Sequence, residues 1–203
     1  MYERLTKSEK KLIRIAKERP ELRQKIASYL KKASEDTVVL FLEAVISESE
    51  KNRLLSWVSK QDATPSNWAG WSIVSHHMPI QMFGEKGRAS DIPESFVGKI
   101  GSEVGLKITG LVANEKAVAV LIEPPSSLKE LVSYPHPFIT IALNKEGVSP
   151  SYVKGFVEKS VEKGNVVRED ENGGVLSFSV MAKLGYYDGR SKEDTFILPQ
   201  EMH

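Results

Sequence analysis

Ser75-His76-His77-Met78-Pro79-Ile80 and, about sixty residues on, Pro135-His136-Pro137-Phe138-Ile139-Thr140-Ile141-Ala142 are the two stretches on which the fold turns. Each sets a histidine or a threonine into an apolar run of strand character. Together they hold three of the protein's four histidines. Side chains alternate across a strand, so residues two apart share a face. His77 and Pro79 share one face of the first stretch. His136, Phe138 and Thr140 share one face of the second. His76 and His77 are adjacent, so a regular strand sends them to opposite faces, where they do not jointly chelate a metal. The spacing predicts strands over Ile73 to Phe83 and Phe138 to Leu143.

Working outward, Val104 to Thr109 reads as a strand. Ala117 to Glu123 (AVAVLIE) reads as a buried one, because its apolar run is unbroken and bounded by turn signals. Pro124-Pro125-Ser126-Ser127 predicts a turn. Ser151 to Lys163 predicts a helix whose Val153, Phe156, Val157 and Val161 share a face, with Gly164 ending it. Asn165 to Arg168 and Val175 to Leu184, around Glu171-Asn172-Gly173-Gly174, predict a hairpin. Residues 188–203 read as an exposed tail.

Upstream the pattern is helical. Thr6-Lys7-Ser8-Glu9 fits a capping box, and Leu12, Ile15 and Ala16 follow at helical spacing. Arg19-Pro20-Glu21 breaks and restarts the helix, with Leu22, Ile26, Tyr29 and Leu30 forming one stripe. A third helix is expected from Asp36 through Val38, Val39, Leu42, Val45 and Ile46. A further helical piece carries Leu54, Leu55 and Trp57. Gln61 to Gly70 is polar and contains Pro and Gly, as a linker does. The expected organisation is a helical N-terminal unit over 1–60, a linker over 61–70, an α/β body over 71–187 and the tail.

Composition excludes several chemistries. With 203 residues, 40% hydrophobic and 27% charged, the chain matches an ordinary globular protein. It has no cysteine, which excludes disulfides, thiolate zinc sites and cysteine nucleophiles. No run of eighteen apolar residues suggests a membrane span, and Met1-Tyr2-Glu3-Arg4 does not open an apolar leader, so a cytoplasmic location is the default. Residues 1–34 carry eleven Lys and Arg against four Glu. That is net +7 in a chain whose formal total is +1, leaving −6 for the rest. Such basic helices suit nucleic acid or an acidic protein partner, or are a solvated face.

Standard motifs are missing. Gly98-Lys99-Ile100-Gly101-Ser102 lacks phosphate-loop spacing and reads as a turn. There is no His-Glu-x-x-His, no Gly-x-Ser-x-Gly elbow and no strand-borne carboxylate pair. Neither a metal nor a cofactor is expected.

The chain resembles the 2H phosphoesterase superfamily (LigT-like), and within it the Swiss-Army-knife RNA-repair-like domains. The resembling residues are Trp71, His76-His77-Met78-Pro79-Ile80 and Gly84, then Ile100-Gly101, Lys116-Ala117-Val118-Ala119-Val120 and Pro137-Phe138-Ile139-Thr140-Ile141-Ala142. Gly147-Val148-Ser149-Pro150-Ser151 and Gly164 complete the pattern, which covers roughly residues 70–184. The family places one His-x-Thr/Ser motif on each of two pseudo-symmetric lobes. One histidine is general base and the other general acid at a phosphodiester, while the hydroxyls hold phosphate oxygens, without a metal.

The resemblance implies a bilobal α+β body of antiparallel sheets with helices. It implies action on a cyclic phosphodiester in RNA repair: an RNA 2′,3′-cyclic phosphate end, or a small cyclic or 2′-5′ linked nucleotide. His77 matches one catalytic histidine and Thr140 one phosphate-holding hydroxyl. The sequence departs from the family at the two complementary positions. Pro79 replaces a hydroxyl residue, and Phe138 replaces the second histidine. His136 is the candidate stand-in, about 7 Å from that position by strand rise. Phe138 and Trp71 are candidates for stacking on a base. Ser151 and Tyr152 match a substrate-facing segment. The alternative implied by these departures is a degenerate 2H fold that binds nucleotide or RNA without cleavage, or serves as a structural module. Leu12-Ile13-Arg14-Ile15-Ala16 with Arg19-Pro20-Glu21-Leu22-Arg23 also resembles the N-terminal segments of some large-phage proteins, which implies a host cytoplasm or a virion as the setting.

Overall fold

Strand β5, Ala117–Glu123, is apolar at every position but the last and is buried along that whole apolar length, so both of its faces are covered. The turn before it is set by Asn114. Its Oδ1 accepts from the Lys116 and Ala117 amides at 2.8 Å each, and its own amide donates to the Ala117 carbonyl at 3.0 Å. This Asx-type turn folds β5 back on β4, Glu103–Ala113.

The computed structural model describes residues 39–84, 86–144, 148, 150–168 and 178–187. In chain order its other elements are β1 (Phe41–Ile46), α1 (Glu48–Val58), β2 (Trp71–Ile73), β3 (His77–Met82), a 3₁₀ turn (Ala89–Asp91), α2 (Glu94–Val97), α3 (Ser126–Lys129), β6 (Phe138–Asn144), α4 (Pro150–Glu162) and β7 (Phe178–Tyr187). The fold is mixed α+β. Its seven-stranded sheet has the order β2-β6-β5-β4-β7-β1-β3. The β2–β6, β5–β6 and β4–β5 pairs are antiparallel. The segment from Trp71 to Met82 therefore supplies the first and the last strand of that order. The N-terminal helices expected within 1–38, the hairpin turn at 171–174 and the tail over 188–203 lie outside the described residues. Among the described residues no helix is long and apolar enough to cross a membrane.

Contacts divide the chain into two units. One comprises Ala44–Ile80 and Glu103–Ala182, and draws residues from all seven strands. In it, Val153 and Val157 of α4 cover a sheet face formed by Val112, Ala117, Ala119, Leu121, Phe138 and Leu143. Helix α1 starts at Ser47, whose hydroxyl accepts from the Glu50 amide at 3.3 Å. It packs on β7, with the Trp57 ring stacked on Phe178 at 5.0 Å and the Arg53 guanidinium over that same ring. Glu50 Oε2 accepts from the Met181 amide at 3.0 Å.

The C-terminus of α4 shows why Gly164 stands there. Asn165 N–H donates to the Ser160 carbonyl at 2.8 Å and Gly164 N–H to the Val161 carbonyl at 3.1 Å, the paired bonds of a Schellman cap. The cap holds Gly164 at φ +72°, where a side chain is strained. Gly164→Ala is expected to cost about 1 kcal/mol, read as a lower urea midpoint with unchanged slope.

The second unit joins Met1–Glu43, Gln81–Ser102 and Lys183–His203. Leu40 anchors its described part. The Leu40 amide donates to the Tyr187 carbonyl at 2.8 Å, and its carbonyl accepts from Phe83 and Gly84. Phe96 of α2 is wholly buried. Residues 98–102 form a turn, as their sequence predicts. Ser102 Oγ donates to the Lys99 carbonyl at 2.6 Å, and Gly101 takes φ +80°.

Three expectations are corrected. The helix predicted through Val38–Ile46 is strand β1 over Phe41–Ile46. Nearly every position there is apolar, so helical spacing is satisfied trivially, and burial of Leu42 through Ile46 marks a strand covered on both faces. The single strand predicted from Ile73 to Phe83 is two strands, because the Val74 and Ser75 amides both donate to the one Ile141 carbonyl of β6, which ends the β2–β6 ladder there. The turn predicted at 124–127 passes directly into the single helical turn α3.

Candidate functional site

The break between β2 and β3 brings the two signature stretches together. Ser75 is wholly buried, and its Oγ donates to the Ile141 carbonyl at 3.0 Å. The Val74 amide donates to the same carbonyl at 2.9 Å and the Ser75 amide at 3.3 Å. On its β5 side, β6 bulges at the same point. Ala142 pairs with Val118 and Thr140 with Ala119, so Ile141 is the extra residue. Ser133 N–H and Oγ also donate to the Ile80 carbonyl, at 2.8 and 3.1 Å. The strand carrying His77 is thus tied to the chain on either side of Thr140.

His77 is the first residue of β3 and is half-buried, sharing its face with Pro79, while Met78 and Ile80 point into the core. Burial, reinforced by His76 beside it, pushes the His77 imidazole down to about 3. His77 is therefore neutral at neutral pH. It can accept or donate one hydrogen bond, but it lacks the second ring proton with which an imidazolium acts as an acid. His76 lies before the strand, not on it. Its Nδ1–H donates to the Val74 carbonyl, and its ring centre lies 4.6 Å from that of His77. The expectation that the two rings point to opposite faces is thereby overturned. The cause is that His76 belongs to the bend. Among the described residues no cluster of three or more His, Asp or Glu could hold a metal ion.

The second stretch carries less chemistry than its sequence suggests. Thr140 is half-buried and pairs with Ala119 on the sheet face that α4 covers. Phe138, on that face too, is only 6% exposed and belongs to the cluster with Leu121, Val153 and Val157. Its ring meets Tyr134 edge-on at 6.1 Å. Phe138 is spent on the core and offers no open face to a base. His136 is half-buried in a bend before β6, so the strand geometry that would set it 7 Å from position 138 does not apply.

The remaining candidates lie elsewhere in this unit. Trp71 pairs with Asn144 at the start of β2 and meets Trp68 edge-on at 5.8 Å. It lines a surface pocket of about 400 Å³ with Thr64, Pro65, Asn114, Glu115 and Asn144. Tyr152 is exposed on α4, stacked on Phe156 at 6.0 Å, and its hydroxyl accepts from Asn114 Nδ2 at 3.2 Å. Ser151 falls in the first turn of α4, and its side chain lies outside the described set.

Sequence reasoning passed over Glu43, a carboxylate wholly buried on β1. The signal was present as the single acidic residue inside the apolar run Val38–Ile46, and the helical reading of that run gave it no role. No protein-family model matches the chain, and no curated protein matches it significantly, so function has to come from the chemistry of these residues.

Proposed function

We propose that this protein has a 2H-phosphoesterase-like body that holds a phosphate-bearing nucleotide or RNA end without cleaving it. The observation that carries the reading is the fate of position 138. The two-histidine mechanism needs a second imidazole there, and the residue is a phenylalanine packed beneath α4. The depressed His77 supports the same reading. An acid–base group works best with a pKa near the working pH, and a histidine titrating near 3 serves poorly as general acid at neutrality. What His77 keeps is a neutral, half-buried hydrogen-bonding ring on a strand tied to that of Thr140. The bilobal arrangement and the RNA-end ligand rest on the sequence resemblance.

The test is to offer the wild type a 2′,3′-cyclic nucleotide, a cyclic-phosphate-ended RNA and the matching 2′-phosphate product, following both turnover and calorimetric binding. Binding without product is expected, with His77→Ala weakening it about three- to tenfold, the loss of one hydrogen bond. Turnover that resists EDTA and disappears in His77→Ala would install the rival reading, a metal-independent cyclic phosphodiesterase in which His136 replaces the missing histidine. Neither binding nor turnover would leave a structural module.

A further inference from the structure

A second set of residues, using neither His77 nor Thr140, lies along α4. Its pocket of about 300 Å³ is lined by Tyr152, Gly155, Phe156, Lys159, Ser160 and Lys163, with Asn165 beyond the cap. These positions recur at three- and four-residue steps and so form one stripe of the helix. Gly155 in a helix interior costs about 1 kcal/mol relative to alanine. No neighbour demands it, since a Cβ there would meet nothing within 4 Å. What the glycine leaves is room in the pocket.

This pocket adjoins the one at Trp71. Asn114 lines the Trp71 pocket and donates to the hydroxyl of Tyr152, which lines the other. The Lys116 ammonium lies over the Tyr152 ring, 6.0 Å from its centre. Along this surface aromatic rings and exposed ammonium groups therefore alternate: Trp71, Lys116, Tyr152 with Phe156, then Lys159 and Lys163. Glu115 is the opposing charge in the Trp71 pocket.

We propose that this surface is a track for single-stranded nucleic acid. Bases stack on the Trp71 and Tyr152–Phe156 rings, and the backbone phosphates pass Lys116, Lys159 and Lys163. Alternating rings and cations suit a single strand because every base has a stacking face and every linkage a charge. A duplex hides those faces.

The experiment is fluorescence anisotropy of a labelled 10-nucleotide RNA, the matching DNA and the duplex, with the full chain at 50 and 200 mM salt. Tyr152→Ala is expected to weaken single-strand binding about five- to 150-fold. The Lys159→Glu/Lys163→Glu double variant is expected to lower the salt-dependence slope by about 1.4, two phosphate contacts on a single strand. All three positions are exposed, and far-UV circular dichroism checks that the variants fold. Tight binding of either RNA or DNA supports the proposal, and their ratio names the polymer. Three results overturn it: no single-strand binding at 50 mM salt, equal binding of duplex, or wild-type binding by both variants. The last would move the contact to another surface, such as the basic residues 1–34. The labelled strands end in plain hydroxyl groups and so offer the His77 strand no terminal phosphate, which separates failure of this proposal from failure of the nucleotide-end reading.

Discussion

Between pH 6.5 and pH 4 the protein is expected to lose about 3 kcal/mol of stability through His77 alone. The unfolded imidazole takes up a proton near its ordinary 6.5, while the folded one resists until about 3. Within that window the unfolded chain binds one proton more than the native state, so acid favours unfolding by about 1.4 kcal/mol per pH unit. Above 6.5 both forms are neutral and the effect vanishes. Urea midpoints of the wild type and His77→Gln at pH 7, 6, 5 and 4 read it directly. The glutamine variant should hold a flatter profile from 6.5 to 5, before most carboxylates titrate. Parallel profiles would mean that the His77 ring is solvated and that its neutrality at the proposed site is lost with its burial.

Phe138→Ala is expected to cost about 3–5 kcal/mol, the usual range for removing a buried aromatic ring. Its neighbours Leu121, Val153 and Val157 come from β5 and α4, two elements that already face each other, so little collapse can fill the gap. Phe138→Leu should stay within about 1.5 kcal/mol, since it keeps apolar volume. A cost for Phe138→Ala below about 1 kcal/mol would mean that the ring is not a core residue and is open to ligand after all. Phe138→His with Pro79→Thr, which rebuilds both family motifs, must place a polar ring among apolar neighbours at a cost of about 1–3 kcal/mol. Regaining the motif thus works against the packing that now occupies its place.

Much of the body could be read from local pattern. Ala117–Glu123 and Phe138–Asn144 are apolar runs too short for helices, and α4 has an apolar face with a glycine stop. The β1 error shows where such reading fails. Once Val38 to Ile46 is almost wholly apolar, period two and period 3.6 fit equally, and only the sheet neighbours decide. At the site, the sequence set His77 within one strand and Thr140 on another, and the structure moves His77 to the head of a shorter strand. The sequence did not reveal that Phe138 lies beneath α4, because that depends on which face the helix covers. Nor did it reveal the α4 pocket, whose boundary with the Trp71 pocket is made by residues as far apart in sequence as Asn114 and Tyr152.

The hydrogen bond from Ser75 to Ile141 spans 66 residues. The β4–β5 turn, by contrast, closes over the three residues between Ala113 and Ala117. Closing a long loop costs entropy that only the finished partner surface can offset, and here that partner is the Ile141 carbonyl of β6. The β4-β5-β6 meander is therefore expected to form before the Val74–Ser75 segment docks on β6. A near-zero φ-value for Ser75→Ala, beside substantial values within β5, is the kinetic signature of that order. A chain caught part-way would carry its core but not its site.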